Sequence, residues 1–553
     1  MLYRPAVDDP RLVVEAERRD RRPHLLRTRR GGDRPRDAGA VEPTQGVLGT
    51  WKRLRVAVVR VEGDAGATIE VASRLAIDRS SCGLGNLLGE PNAIHPDHRP
   101  QLVARGGDAE LVERRLPRRN ARLDCVDEGA VEVEDDGLRS QSRSHAPYDT
   151  EPMPSELAVH WTLDPSIAFL NHGSFGATPR PVLDAQSAWR DRMEREPVAF
   201  FTHDLEPALD AARAELGRFV GGDPDDLAFV VNATAGINTV ARGIALEPGD
   251  EVIVLDHAYN AARNALVTAA ASGGARVVTA AIPFPGTAPD DAMAAILTAV
   301  TKRTRLVLLD HVTSPTALVL PVAEIVAALD ARGIDTLVDG AHAPGMIEVD
   351  VDRLGAAYYT ANCHKWMCAP KGSGFLHVRR DRQDRIRPLV ISHGANSPRT
   401  DRTRFRLEHD WTGTLDPSAW LAVPAAIGFG ATVVPGGWAE LRARGHRLAL
   451  EGRAELTRVL GTDMPAPDEM IGSMAAVPMP SSGRSEPPVA EPDEDPVHAA
   501  LLAAGVQVAV TAWPRDPGGG AWGRLIRFSC APYVDATDLG RLVAALAALR
   551  VAV

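Results

Sequence analysis

Lysine is almost missing from this chain. Four occur in 553 residues (Lys52, Lys302, Lys365 and Lys371), and arginine supplies nearly all the positive charge. A lysine set inside an apolar, aromatic segment is therefore no generic surface charge. Cysteine is scarce too: Cys82, Cys125, Cys363, Cys368 and Cys530 are odd in number and lack the spacing of metal ligands or of a disulfide framework. No metal site is expected, and reduced, cytoplasmic thiols are the economical reading. No run approaches the ~20 apolar residues of a membrane helix. The C-terminal LVAALAALRVAV is short and interrupted by Arg550. The N-terminus lacks the apolar core of a signal peptide. Positive charge is not in excess either: the formal net charge of −11 argues against nucleic acid and acidic membranes as partners.

What is present divides unevenly. A chain of 553 residues is too long for one core and suggests two or three domains. Over residues 1–150, 25 arginines and one lysine nearly balance 25 acidic residues. Apolar runs there are short (Leu54 to Val61, Thr68 to Ala76) and no helical period is sustained. The basic cluster from Arg18 to Arg36 is interleaved with acidic residues and has no aromatics, a poor match to a nucleic-acid arm. Residues 1–152 are expected to be a poorly structured extension, or the product of a start codon placed upstream of a true start at Met153. The intact mass of the protein from its native host separates the two.

The most informative stretch runs from Thr336 to Phe375. An apolar run ends in Asp339 and is followed by Gly340, Ala341 and His342. A second apolar-aromatic run, Ala356 to Thr360, delivers His364, Lys365 and Trp366 into a Gly/Pro-rich turn ending Pro370-Lys371-Gly372-Ser373-Gly374. Desolvation makes lysine nucleophilic, and it forms Schiff bases with aldehydes. An aldehyde cofactor that needs both a lysine and a carboxylate is pyridoxal 5'-phosphate (PLP), whose ring nitrogen must stay protonated to draw off electrons.

Upstream, strands and helices alternate from Asp204 onward, which predicts a mainly parallel sheet with helices on both faces. Ala168 to Gly176 (AFLNHGSFG) is a short strand running into a polar, glycine-containing turn. Leu227 to Val231 is a strand, and Asn232-Ala233-Thr234 opens a helix. Strand, small polar turn and helix N-terminus can hold a phosphate on free backbone N–H groups, although capping explains Asn and Thr equally well. Glu251 to Leu255 is a buried strand leading to Tyr259, and Arg305 to Leu309 is another, followed by Asp310 to Thr316. Pro465 to Pro496 reads mostly as a surface loop. Arg524 to Tyr533 reads as an edge-like strand.

Asp339 to His342, His364 to Trp366 and the glycines after Pro370 resemble the class V aminotransferase family of fold type I, most closely its isopenicillin N epimerase-like branch. The resemblance covers about Met153 to the C-terminus. It implies an α/β fold: an N-terminal arm and large PLP-binding domain (153–420) with a mainly parallel sheet covered by helices, then a smaller C-terminal α+β domain (421–553). It implies that Lys365 is the Schiff-base lysine and that Asp339 faces the pyridinium. His342 then reaches the ring hydroxyl, Tyr259 lies over the ring, and His364 joins the cofactor site. Ala233 and Thr234 would contact the phosphate. Thr414 would reach the phosphate of a neighbouring subunit, so a homodimer with shared active sites is implied. Arg527, in an IRxSxxxY pattern, would clamp the substrate carboxylate, with Asn171 and His172 at the substrate entrance.

The function expected is PLP-dependent removal of the α-proton from an amino acid, epimerase-like, with a C–S lyase or an aminotransferase as alternatives. A desulfurase is disfavoured, because the 465–496 loop offers no nucleophilic cysteine. A binding or regulatory protein on this fold is expected to have lost the lysine, and Lys365 is present.

Overall fold

The computed structural model describes residues 155–480, 495–513 and 523–551, with the backbone of five strands between residues 14 and 110. Those strands apart, the expectation for residues 1–152 lies outside the described residues. Residues 143–553 hold together as one compact unit.

The chain enters through a short strand β1 (Ala168–Phe169) and helices α1 (Arg180–Arg195) and α2 (Leu205–Val220). The alternation then begins: β2 (Leu227–Val230), α3 (Ala233–Gly243), β3 (Glu251–Leu255), α4 (Asn260–Gly273) and β4 (Arg276–Ala280). It continues with α5 (Pro289–Ala299), β5 (Thr304–Asp310), α6 (Val322–Asp330), β6 (Asp335–Asp339), β7 (Tyr358–Asn362) and β8 (Gly374–Val378). The seven strands lie in the order β2-β8-β7-β6-β5-β3-β4. Only β8 runs against the rest. The expected mainly parallel sheet is there.

Central strands of such a sheet are covered on both faces and read as unbroken apolar runs. Val252 to Leu255 and Leu306 to Leu309 are fully buried or nearly so. Glu251 is the exception in β3, and its buried carboxylate is held by Arg276 at 2.5 Å, Arg303 at 3.1 Å and the Thr301 hydroxyl at 2.7 Å. Helix α3 buries Ile237 and Val240 on the sheet, on the order of 1.5–3 kcal/mol for each side chain. It can lie this close because residue 236 is glycine: a Cβ there would sit 2.1 Å from the Thr360 hydroxyl of β7.

Helix α7 (Val423–Thr432) buries Val423 and Ala426 in the core of the large sheet, and a second apolar core gathers the elements that follow: α8 (Gly437–Leu460), β9 (Met474–Met479), α9 (Pro496–Ala503), β10 (Val506–Gln507), β11 (Ala509–Trp513), β12 (Gly523–Ser529) and α10 (Ala536–Val551). Leu157, Trp161, Ala168 and Leu170 pack into this second core, and β1 pairs with β10. The arm grouped by sequence with the large domain thus belongs physically to the smaller layer.

Two expectations are corrected here. The stretch from Pro465 is not simply a loop, since Met474–Met479 forms β9, with Met474 to Val477 buried. Prolines disguised it; Pro478 is tolerated because β9 lies at the rim of the three-stranded sheet β9-β12-β11, where a missing N–H costs no ladder bond. For the same reason the strand carrying Arg527 is the middle strand, paired on both sides, and not an edge.

Candidate active site

Open α/β sheets place ligands beyond the carboxyl ends of their strands. Register brings the site residues there side by side: Asp310 pairs with Asp339, and Asp339 with Thr360. Two residues on, Asn362 ends β7 opposite Gly374, which pairs with Val230 just before the Asn232 turn. Asp339 and Lys365, remote in sequence terms, thus leave adjacent parallel strands at one edge.

Asp339 is buried, and its Oδ1 accepts the Ala341 N–H at 3.0 Å. Burial raises its carboxyl above the usual range against the pull of nearby Lys365. Gly340 admits the turn, because a Cβ at that position would meet the Tyr359 ring at 2.3 Å. Lys365 lies in a turn closed by the Cys368 N–H on its carbonyl at 2.9 Å. Its Nζ is 3.2 Å from His342 Nε2, while Trp366 Nε1–H donates to His342 Nδ1 at 3.3 Å. Burial, with the charge of Arg527, lowers the Lys365 ammonium to about 8 although Asp339 opposes the shift. Burial and the Lys365 charge hold His342 well below the ordinary histidine range. The result is an amine that loses its proton near pH 8, well below an ordinary lysine.

The IRxSxxxY pattern acquires a physical meaning in the contacts of β12. Arg527 Nη2 donates to the Ser174 hydroxyl at 2.6 Å, Ser529 Oγ accepts the Gly173 N–H at 3.0 Å, and the Tyr533 hydroxyl lies 2.9 Å from His172 Nδ1. Three residues of one pattern grip three successive residues of the other. Arg527 Nη1 also donates to the Ser314 carbonyl at 2.5 Å, at the exit of β5. Arg527 is buried, and it has no carboxylate within ion-pair distance among the described residues. Burial lowers its guanidinium to about 10. An unpaired buried cation is costly, so this position calls for an anion.

His172 is not an entrance residue. It is fully buried, and its Nε2 lies 2.9 Å from the Lys365 carbonyl. A carbonyl can only accept, so Nε2 carries the proton and Nδ1 accepts from Tyr533. Burial lowers this histidine to about 4, so it is a neutral brace behind the lysine. Asn171 differs: its side-chain oxygen is buried without a partner and stays available to a ligand.

At the start of α3, Asn232 Oδ1 caps the Ala235 N–H at 2.8 Å. Ala233 does not offer its N–H to a phosphate, because the Asn362 side chain accepts it at 2.8 Å. That leaves Thr234 as the residue of the first turn whose N–H has no partner among the described residues. Capping and anion binding therefore share one helix end. His364 donates from Nδ1 to the Ser373 carbonyl at 2.7 Å, and burial near Lys365 and Lys371 lowers it to about 4. Tyr259 is 47% exposed at the start of α4, in the neighbourhood of Arg527. Thr414 is exposed on the loop after α2's partner residue Asp410, with no hydrogen bond to this site within the described residues.

Sequence reasoning missed Asn362, Ser174, Ser314, Ser529 and Tyr533. Ser174, Ser529 and Tyr533 lay inside quoted motifs, yet nothing in one sequence said that the two motifs meet. All three described cysteines (Cys363, Cys368, Cys530) are free and buried, and burial raises each thiol, Cys368 to about 12. None is a ready nucleophile.

The residues present fit PLP. Asp339 is a buried carboxyl served, among the described residues, only by the Ala341 N–H, and it suits a ring N–H. Thr234 offers an open donor to a phosphate, and Lys365 is an amine held near neutrality. Fold and site together define a PLP-dependent enzyme of fold type I. Residues 176–489 match the class V aminotransferase family, and the chain belongs to it. It is 34% identical over 407 residues to an isopenicillin N epimerase of Streptomyces clavuligerus, covering 70% of this chain and 96% of that protein. It is also 34% identical over 333 residues to a putative L-cysteine desulfhydrase of Oryza sativa subsp. japonica, covering 57% and 67%. Among solved structures, the cysteine desulfurase CsdA of Escherichia coli superimposes with TM-score 0.59 at 20% identity, over 72% of this chain and 98% of that one. C-DES, with glycine covalently linked to its PLP cofactor, gives TM-score 0.57 at 22% identity over 69% and 96%. These last two likenesses concern the fold alone.

Proposed function

We propose that this enzyme inverts the α-carbon of an amino acid, in the manner of its isopenicillin N epimerase relatives. The observation that carries the reading is Arg527: a buried cation without a carboxylate partner among the described residues, whose charge also reaches Lys365. The α-carboxylate of an amino acid supplies the missing anion, and a guanidinium fork receives it in a fixed orientation. Bound PLP supplies an electron sink that acidifies the α-proton. Lys365, with its pKa near neutrality, takes that proton as general base. Ser174 and Ser314 hold Arg527 in place, and His172 holds the Lys365 carbonyl. Asp339 places a buried carboxyl where a ring nitrogen would need one.

Loss of a β-substituent is the second reading, favoured by the identity with the Oryza desulfhydrase. Burial raises the thiols of Cys363, Cys368 and Cys530, which argues against a route that stores sulfur on any of these three.

Shared active sites in a homodimer fit the exposed Thr414 and the exposed apolar Phe175, Val390 and Ile391. A reducing, cytoplasmic setting fits three free buried thiols.

Incubation with a panel of amino acids in deuterated water tests the reaction. Deuterium at the α-carbon with loss of optical purity supports inversion, whereas keto acid with released sulfide supports elimination. Neither exchange nor product from any amino acid would sink both.

A further inference from the structure

His342 uses both ring nitrogens, and its partners differ in kind. Trp366 Nε1–H can only donate, so His342 Nδ1 must accept and, in the neutral ring, the proton sits on Nε2. That Nε2–H faces Lys365 Nζ at 3.2 Å. A neutral amine can receive this hydrogen bond on its lone pair. An ammonium cannot, because it would set N–H against N–H unless the histidine changed tautomer and opposed the indole instead.

The geometry points to Trp366 as a positioning residue: its indole N–H fixes the His342 tautomer that favours the unprotonated Lys365 amine, the form that captures the cofactor aldehyde. In that capture the amine lone pair bonds to the aldehyde carbon. The two amine protons leave with the aldehyde oxygen as water as the C=N bond forms. An ammonium has no lone pair for the first bond.

Other charges act on the same amine. Arg527, from β12, opposes its protonation and Asp339, at the end of β6, favours it. His364, its chain neighbour, and His172, behind its carbonyl, also feel its charge. The indole lock is distinct from these because it acts through one hydrogen atom. Trp366→Phe removes that atom and keeps the aromatic body, which packs 5.2 Å from the His172 ring in a buried position.

The inference rests on Lys365 being the lysine that binds PLP. It is tested on cofactor-free enzyme mixed with pyridoxal 5'-phosphate, following the rise of the visible band from about pH 6 to about pH 10. Capture by the wild type is expected to rise with pH through a midpoint near 8, where the amine loses its proton. In Trp366→Phe the midpoint is expected to move up by about one unit, which is about tenfold slower capture below it, with the final cofactor content unchanged. An unmoved midpoint in a folded Trp366→Phe protein overturns the inference. Should that variant not fold, nitrogen-15 spectra of histidine-labelled wild type read the tautomer directly. Nε2–H at His342 supports the lock, and Nδ1–H refutes it. Lys365→Ala is the control for the underlying reading: a visible band that persists there discards the lysine assignment itself, whatever the indole does.

Discussion

The inner wall of the site, around Lys365, is closed and satisfied within one chain, whereas the rim is left open. On the inner wall His172, His342, Trp366 and Tyr533 are all buried and hydrogen-bonded to one another or to the lysine. On the rim, Phe175 is 80% exposed, Tyr259 is half exposed, and Thr414 is exposed without a partner from this site. Arg527 stands between them, buried yet unpaired by any carboxylate of the described residues. The contrast separates two tasks. Groups that set the protonation of a nucleophile must be fixed before any ligand arrives, because a buried pKa depends on dry, exact neighbours. Groups that recognise a ligand must keep unused bonding capacity for it.

Substitutions can break this contrast in order of expected effect. Lys365→Ala is expected to remove the visible cofactor band and lower turnover by roughly a thousandfold or more, read by absorbance and steady-state rates. Arg527→Ala is expected to raise KM by about 10- to 100-fold, the loss of a charge-assisted hydrogen bond of ~1.5–3 kcal/mol, while the band persists. It also removes a repulsive charge from Lys365, so the lysine pKa moves up from about 8. Tyr533→Phe strips the donor from His172 Nδ1 in a buried position and is expected to cost about 1–3 kcal/mol of stability in urea unfolding, with KM little changed. Thr414→Ala is expected to weaken cofactor retention by about fivefold in equilibrium dialysis, one hydrogen bond's worth. Unchanged retention would take the neighbouring subunit's loop out of the site.

Much of the inner wall was legible in the sequence because it follows from local rules. Apolar runs ending in Asp339 and leading to Lys365 read as buried parallel strands, and such strands deliver their last residues to one edge. Arg527 was legible as part of a pattern. The partners were not. The family resemblance put His172 at the substrate entrance, yet Tyr533, more than 300 residues later, holds it inward. The resemblance made Ala233 a phosphate contact at a helix start, yet Asn362 from β7 takes its N–H. Strand β9 was hidden because prolines argue locally for a loop, and only the order of the small sheet makes Pro478 harmless. Each miss is a long-range pairing that neither a local rule nor a matching motif reveals.

The central claim is that one lysine of four carries the cofactor carbonyl. Reduction of the PLP-loaded enzyme with borohydride, followed by proteolysis and mass spectrometry, fixes that bond where it formed. The account predicts a phosphopyridoxyl group on Lys365. The same group on Lys371 or Lys302, with Lys365 unmodified, would contradict it.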